Sequence, residues 1–178
     1  MLYRVFSWDP GGTPDPLAVR RDLQGTGRHD NPEQYGAIYL AKEPISAVAE
    51  RIQGFRGQRL AAADLARPDG RRLALATIDD SHLPEATDLD DPRVLVRVRR
   101  RPSEIATGDR SVTQALALEF FSSGGIGLAW WSTLEASWIN ITLFDVRLAT
   151  EPTLADVTPL TLSHRSVRAA ADRLGIHV

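Results

Sequence analysis

The chain has 178 residues, a net charge of −2 and no cysteine; the length fits one domain with its own core, and the composition excludes disulfides, cysteine-held zinc and thiol nucleophiles. The mildly acidic balance argues against an electrostatic footprint for nucleic acid. There is no apolar core of signal-peptide length near the N-terminus, and the longest uncharged stretch, 120–134, is too short and glycine-rich to cross a bilayer, so a cytoplasmic protein without membrane association is expected.

Residues 2–6 read as a strand and 7–16 as a loop rich in Pro and Gly. After the polar stretch Gly25-Thr26-Gly27-Arg28-His29-Asp30-Asn31, residues 37–41 (AIYLA) read as a second strand. Pro44 then suits the first position of a helix, where its missing N–H is not needed. Ile45, Val48, Ala49 and Ile52 recur at i, i+3, i+4 and i+7 and define a buried stripe. Glu50 lies roughly 150° from that stripe at 100° per residue, facing solvent or a cleft. Residues 73–78 and 94–98 read as strands, the second alternating valine with arginine. Residues 111–121 read as a helix, with Ser111 and Gln114 as a capping box and Gly124-Gly125 as its stop. Strands are predicted over 126–131 and 138–146, and a last helix over about 163–174, with Val167, Ala170, Ala171 and Leu174 on one face and Gly175 ending it. Helices and strands mix without regular βαβ alternation, which points to an α+β fold in a single domain, 1–178.

Several familiar chemistries find no support. The four histidines are scattered singly, with no ligand spacing for a metal. Gly25-Thr26-Gly27 lacks both the third glycine of a dinucleotide fingerprint and the Gly-Lys-Ser/Thr of a P-loop, and Ser132 lacks the flanking glycines of a nucleophile elbow. Among 21 basic residues only Lys42 is a lysine, so the cationic groups are planar guanidiniums suited to bidentate phosphate or carboxylate contacts. Arg97 to Arg101 reads as a solvated strand face running into a turn at Pro102. The tryptophans around Ser132 read as core packing.

An ordered set of short motifs carries more information than any of them alone. Tyr3-Arg4-Val5 is followed by Gly27-Arg28-His29-Asp30, then by Ala37-Ile38-Tyr39-Leu40-Ala41 leading into a helix that bears Glu50. Gly127-Leu128-x-x-x-Ser132 and Asn140 within Trp138-Ile139-Asn140-Ile141 complete it. Over residues 3–146 this order resembles the RES domain family, named for an arginine, a glutamate and a serine. The resemblance implies a fold like that of the ADP-ribosyltransferase toxins, with mixed sheets and flanking helices. It also implies a toxin that consumes NAD+ as substrate, without a bound cofactor or metal, as an NAD+ phosphorylase or NAD+ glycohydrolase. The partner it implies is an antitoxin carrying an Xre-type helix-turn-helix. ADP-ribosyl transfer to a macromolecule is the alternative within the same fold.

On this resemblance Glu50 is the carboxylate that stabilises an oxocarbenium-like transition state, as in glycoside hydrolysis, while Arg4 and Arg28 hold the pyrophosphate. Tyr39 offers a ring face and a hydroxyl to the nicotinamide or its ribose. Ser132 orients the ring amide or a phosphate, and Asn140 holds its neighbour in place. Glu50, Ser132 and Arg4 form the catalytic set; Arg4, Arg28, Tyr39 and Asn140 form the binding set. The chain departs from the family where its arginine turn more often runs Gly-Arg-Trp/Phe-Asn, here with His29 and Asp30, and where a proline more often precedes the serine, here Trp131. These departures motivate a third reading, a catalytically silent binding module.

Overall fold

The computed structural model describes residues 1–67, 69–150 and 152–178. In chain order the elements are β1 (Leu2–Trp8), β2 (Ala37–Ala41), α1 (Pro44–Ile52), β3 (Arg72–Asp79), β4 (Thr87–Asp88), α2 (Pro92–Arg97), α3 (Pro102–Ile105), α4 (Arg110–Ser122), β5 (Gly127–Trp131), β6 (Ile139–Phe144), β7 (Thr153–Pro159) and α5 (Arg165–Leu174), joined by short 3-10 turns. The mixture is that of an α+β protein. Its residues group into two compact units, Met1–Pro16 with Ala41–Ser81 and Pro152–Val178, and Leu17–Leu40 with His82–Glu151.

In the first unit β1 pairs antiparallel with β3 along its whole length, from Leu2 opposite Ile78 to Trp8 opposite Arg72, and β3 pairs antiparallel with β7. Tyr3 pairs with Ala41 at the end of β2. Helix α1 opens on Pro44 after the extended Glu43 and buries Ser46, Ala47, Val48, Ala49 and Ile52. Its small residues allow close approach to α5, which buries Val167, Ala170, Ala171 and Leu174, the stripe expected from periodicity. The Nδ1 atom of His164 accepts from the Ser166 N–H and caps α5, and Gly175, at φ 67°, closes it in the left-handed conformation that glycine adopts without strain.

The second unit contains the remainder of β2 beside β6, with β5 and then the short β4 outward. β5 and β6 are antiparallel, Trp130 facing Asn140, while β4 runs parallel to β5. Its core gathers Tyr35, Ala37, Leu89, Leu95, Ile105, Leu116, Ala117, Phe120, Leu128, Trp130 and Phe144.

Two expectations are corrected here. Residues 94–98 lie in and just beyond α2 and form no strand. The Asp91 carboxylate accepts the Arg93 N–H and Pro92 takes the first helical position, a start signal stronger than the valine alternation. Helix α4 begins one residue earlier than expected and is capped by Asp109, whose carboxylate accepts from the N–H and hydroxyl of Ser111. Gln114 takes no part in that cap. The Arg97 to Arg101 run is helix end and turn, with Arg99 at φ 56° and Arg100 bridging Glu104 and Glu119.

Candidate functional site

The segment 25–31 folds around a carboxylate. Asp30 is only 5% exposed; its Oδ2 accepts the N–H groups of Gly25 at 2.8 Å and Gly27 at 2.7 Å, and its Oδ1 accepts the Tyr39 hydroxyl at 2.7 Å. A buried carboxylate requires such donors. The approach also explains Gly27: a Cβ there would lie 2.5 Å from Asp30 Oδ1. Helix α4 grips the same segment from outside, Gln114 Nε2 donating to the carbonyls of Gly25 and Gly27 and the Thr113 hydroxyl donating to the carbonyl of Arg28.

Each neighbour in the turn has its own anchor. Arg28 is nearly buried, with its guanidinium 4.8 Å above the Trp130 ring and Nη1 donating to the carbonyls of Ile105 and Thr107. The His29 N–H donates to the Tyr39 oxygen at 2.9 Å. The imidazole stands edge-on to Trp130 and nearly parallel to Tyr39, and Nδ1 lies 2.8 Å from Thr142 Oγ1. That hydroxyl also accepts the Trp130 indole N–H and still has a proton with which it can meet a neutral imidazole at Nδ1. Burial, together with the positive charges of Arg28 and Arg110, pushes the His29 pKa down to about 3. Asn31 Nδ2 donates to the Tyr35 hydroxyl and to the Gln114 carbonyl.

Tyr39 is therefore engaged at its oxygen, donating to Asp30 and accepting from His29. Burial, first, and the carboxylate of Asp30 push its pKa upward, so the phenol keeps its proton. On the adjoining strands, β5 places Leu128 and Trp130 on one face, with Thr142 and Asn140 of β6 opposite them, and Ser132 follows β5 in the turn. Ser132 and Asn140 are both buried. Ser132 Oγ accepts the Leu134 N–H and its own N–H donates to Trp138, so the serine shapes the turn that leads into β6. In the second unit Arg28 lies over Trp130, Tyr39 is bonded to and stacked near His29, and Asn140 pairs across the strands with Trp130, while Ser132 sits in the turn after β5.

Arg4 and Glu50 belong to the first unit. Arg4 sits on β1 opposite Ala76, and its Nη1 is a buried donor with no hydrogen-bond partner among the described residues. Burial lowers its pKa, partly offset by Asp15, yet a guanidinium stays charged. Glu50, on α1, is half-buried and receives Gln53 Nε2 at Oε2, 3.1 Å away. Among the described residues no group of three or more His, Asp or Glu side chains converges to hold a metal ion, and no helix is long and apolar enough to cross a membrane.

Asp30, Thr142 and Gln114 carry the geometry of the turn, a role the sequence reading gave to none of them. The signal available was spacing: an Asp three residues after one glycine and five after another can fold back onto their N–H groups.

The sequence model of the RES domain family matches residues 1–163. Among solved structures, a chain in the crystal structure of the M. tuberculosis MbcT-MbcA toxin-antitoxin complex superposes with a TM-score of 0.68 at 19% identity, over 98% of this chain and 88% of that one. No curated protein matches the chain. The superposition shows that the two share a fold.

Proposed function

The chain belongs to the RES domain family, and from that premise we propose that it is a toxin that cleaves the nicotinamide–ribose bond of NAD+, held in check by an antitoxin of helix-turn-helix type. The observation that carries the chemistry is Arg4. A buried cationic donor atom with no hydrogen-bond partner among the described residues is costly unless an anion completes it, and the pyrophosphate of a dinucleotide is such an anion. The toxin-antitoxin complex that holds the similar fold supports a protein partner.

In this reading the C1′–N bond breaks with its electron pair leaving on nicotinamide, which departs neutral. The positive charge that develops on the ribose is stabilised by the Glu50 carboxylate. Phosphate or water then bonds to C1′, water giving up a proton. Tyr39 contributes its ring face, because its hydroxyl is engaged by Asp30 and His29. Asn140 supplies a polar side chain from the strand that pairs with Trp130, and Ser132 one from the turn that follows β5. Arg28 enters through the turn it ties to Ile105 and Thr107, with the pyrophosphate contact left chiefly to Arg4.

The test is release of free nicotinamide from NAD+ by the purified protein, with and without phosphate. The wild type is expected to release it, with Glu50→Gln slower by on the order of 100-fold and Ser132→Ala by about tenfold. No release in either buffer would remove the activity; full rate in both variants would remove the residue roles while leaving the activity.

A further inference from the structure

We infer that Asp30 is a positioning residue for substrate, acting through Tyr39: its carboxylate fixes the phenol, and with it the ring face offered to NAD+. The inference rests on the NAD+-cleaving reading and adds a residue to it. A phenol oxygen has one proton to donate, and in this protein that proton goes to Asp30 Oδ1, while the oxygen accepts the His29 N–H. The ring is thus held at its far end by two bonds of opposite sense. The holder is itself anchored: Asp30 Oδ2 accepts the N–H groups of Gly25 and Gly27, and those residues' carbonyls accept from Gln114. Helix α4 is in this way connected to Tyr39 by a continuous chain of hydrogen bonds.

An asparagine at position 30 has one carbonyl oxygen for donors that now approach both oxygens of the carboxylate. Its amide NH2 would face either the Tyr39 hydroxyl or the two glycine N–H groups. If NH2 faces the phenol, the hydroxyl must rotate and lose its present bond; if it faces the glycines, the turn opens. Either outcome loosens the ring without changing the side chain's size. Tyr39→Phe breaks the same bond from the other end while retaining the ring.

The experiment measures kcat and KM for nicotinamide release from NAD+ by the full chain carrying Asp30→Asn, Tyr39→Phe or both, at a temperature where unfolding curves show each variant folded. Ring placement predicts a KM for NAD+ at least about fivefold higher in each single variant with kcat within about twofold, and a double variant no worse than the poorer single one. Wild-type KM in folded Asp30→Asn and Tyr39→Phe would overturn the inference, as would losses that multiply in the double variant. Should Asp30→Asn fail to fold, Tyr39→Phe alone decides, by the same KM criterion. A wild type that releases no nicotinamide would overturn the activity itself and this inference with it, an outcome distinct from active enzyme with indifferent variants.

Discussion

His29 behaves in its turn as an aromatic ring that also needs a hydrogen bond. It is edge-on to Trp130 and bonded to Thr142, and burial holds its pKa near 3. In the unfolded chain a histidine titrates near 6.5. The folded pKa is depressed, so between these values the unfolded state binds the extra proton and stability rises with pH. The contribution is complete above about pH 6.5 and is lost as pH falls toward 3. By the energy of about 1.4 kcal/mol per unit, unfolding free energy should be about 2 kcal/mol lower at pH 5 than at pH 7 on account of this residue. Urea denaturation at the two pH values should show that difference in the wild type and a smaller one in His29→Gln; equal differences in the two proteins would contradict it. His164 tends the same way, since its lowered pKa arises from burial and from Arg165, and protonation at Nδ1 would remove the cap it gives α5.

Elements were legible where period and punctuation agreed. Pro44 with the Ile45, Val48, Ala49, Ile52 stripe marks α1, and the turn from helix to Gly175 marks the end of α5. Where period stood alone it misled. Five residues alternating valine with arginine or leucine fit either a strand or a short helix, and the decision came from Asp91-Pro92 at the start. β7 was not expected because Thr153–Pro159 has only Leu154 and Val157 as large apolar residues and is exposed or half-buried along its length, as suits an outer strand paired on one side with β3. The Gly25 to Asp30 turn was legible as a place of polar chemistry but not as a self-contained network. Its acceptors and donors come from α4, β2 and β6, and separations such as His29 to Thr142 leave no local pattern. At this scale Gly175 gives a clean measurement. Its φ of 67° is strained for any residue with a Cβ, and no atom stands within 4 Å of where that Cβ would lie. Gly175→Ala should therefore lower stability by about 1 kcal/mol through backbone strain alone, seen as a lower denaturation midpoint with an unchanged slope; an unchanged midpoint would mean the helix end had relaxed.

For the whole molecule, family membership was legible because the order of several weak motifs is far more restrictive than any one of them. That order placed Arg4, Arg28, Tyr39, Glu50, Ser132 and Asn140 within the 1–163 stretch that the RES family matches. It could not show which of their polar atoms are already engaged. The structure shows Arg28 Nη1 and the Tyr39 hydroxyl engaged by the protein, and Arg4 Nη1 without a hydrogen-bond partner among the described residues. This distribution bears on what the chain does in a cell. If Arg4 and Glu50 act on NAD+, induced expression of the wild type without an antitoxin should deplete cellular NAD+ and stop growth. Glu50→Gln, whose amide cannot stabilise a developing cation as a carboxylate does, should leave both normal at equal protein level. On the proposed function, co-expression of a helix-turn-helix protein, where one is encoded beside this chain, should restore NAD+ and growth and bring the two proteins down together in purification. Growth arrest with undiminished NAD+, equally strong in Glu50→Gln, would assign the toxicity to something other than this chemistry. Depletion of NAD+ that the neighbouring protein fails to prevent would leave the enzyme in place and remove the proposed partner.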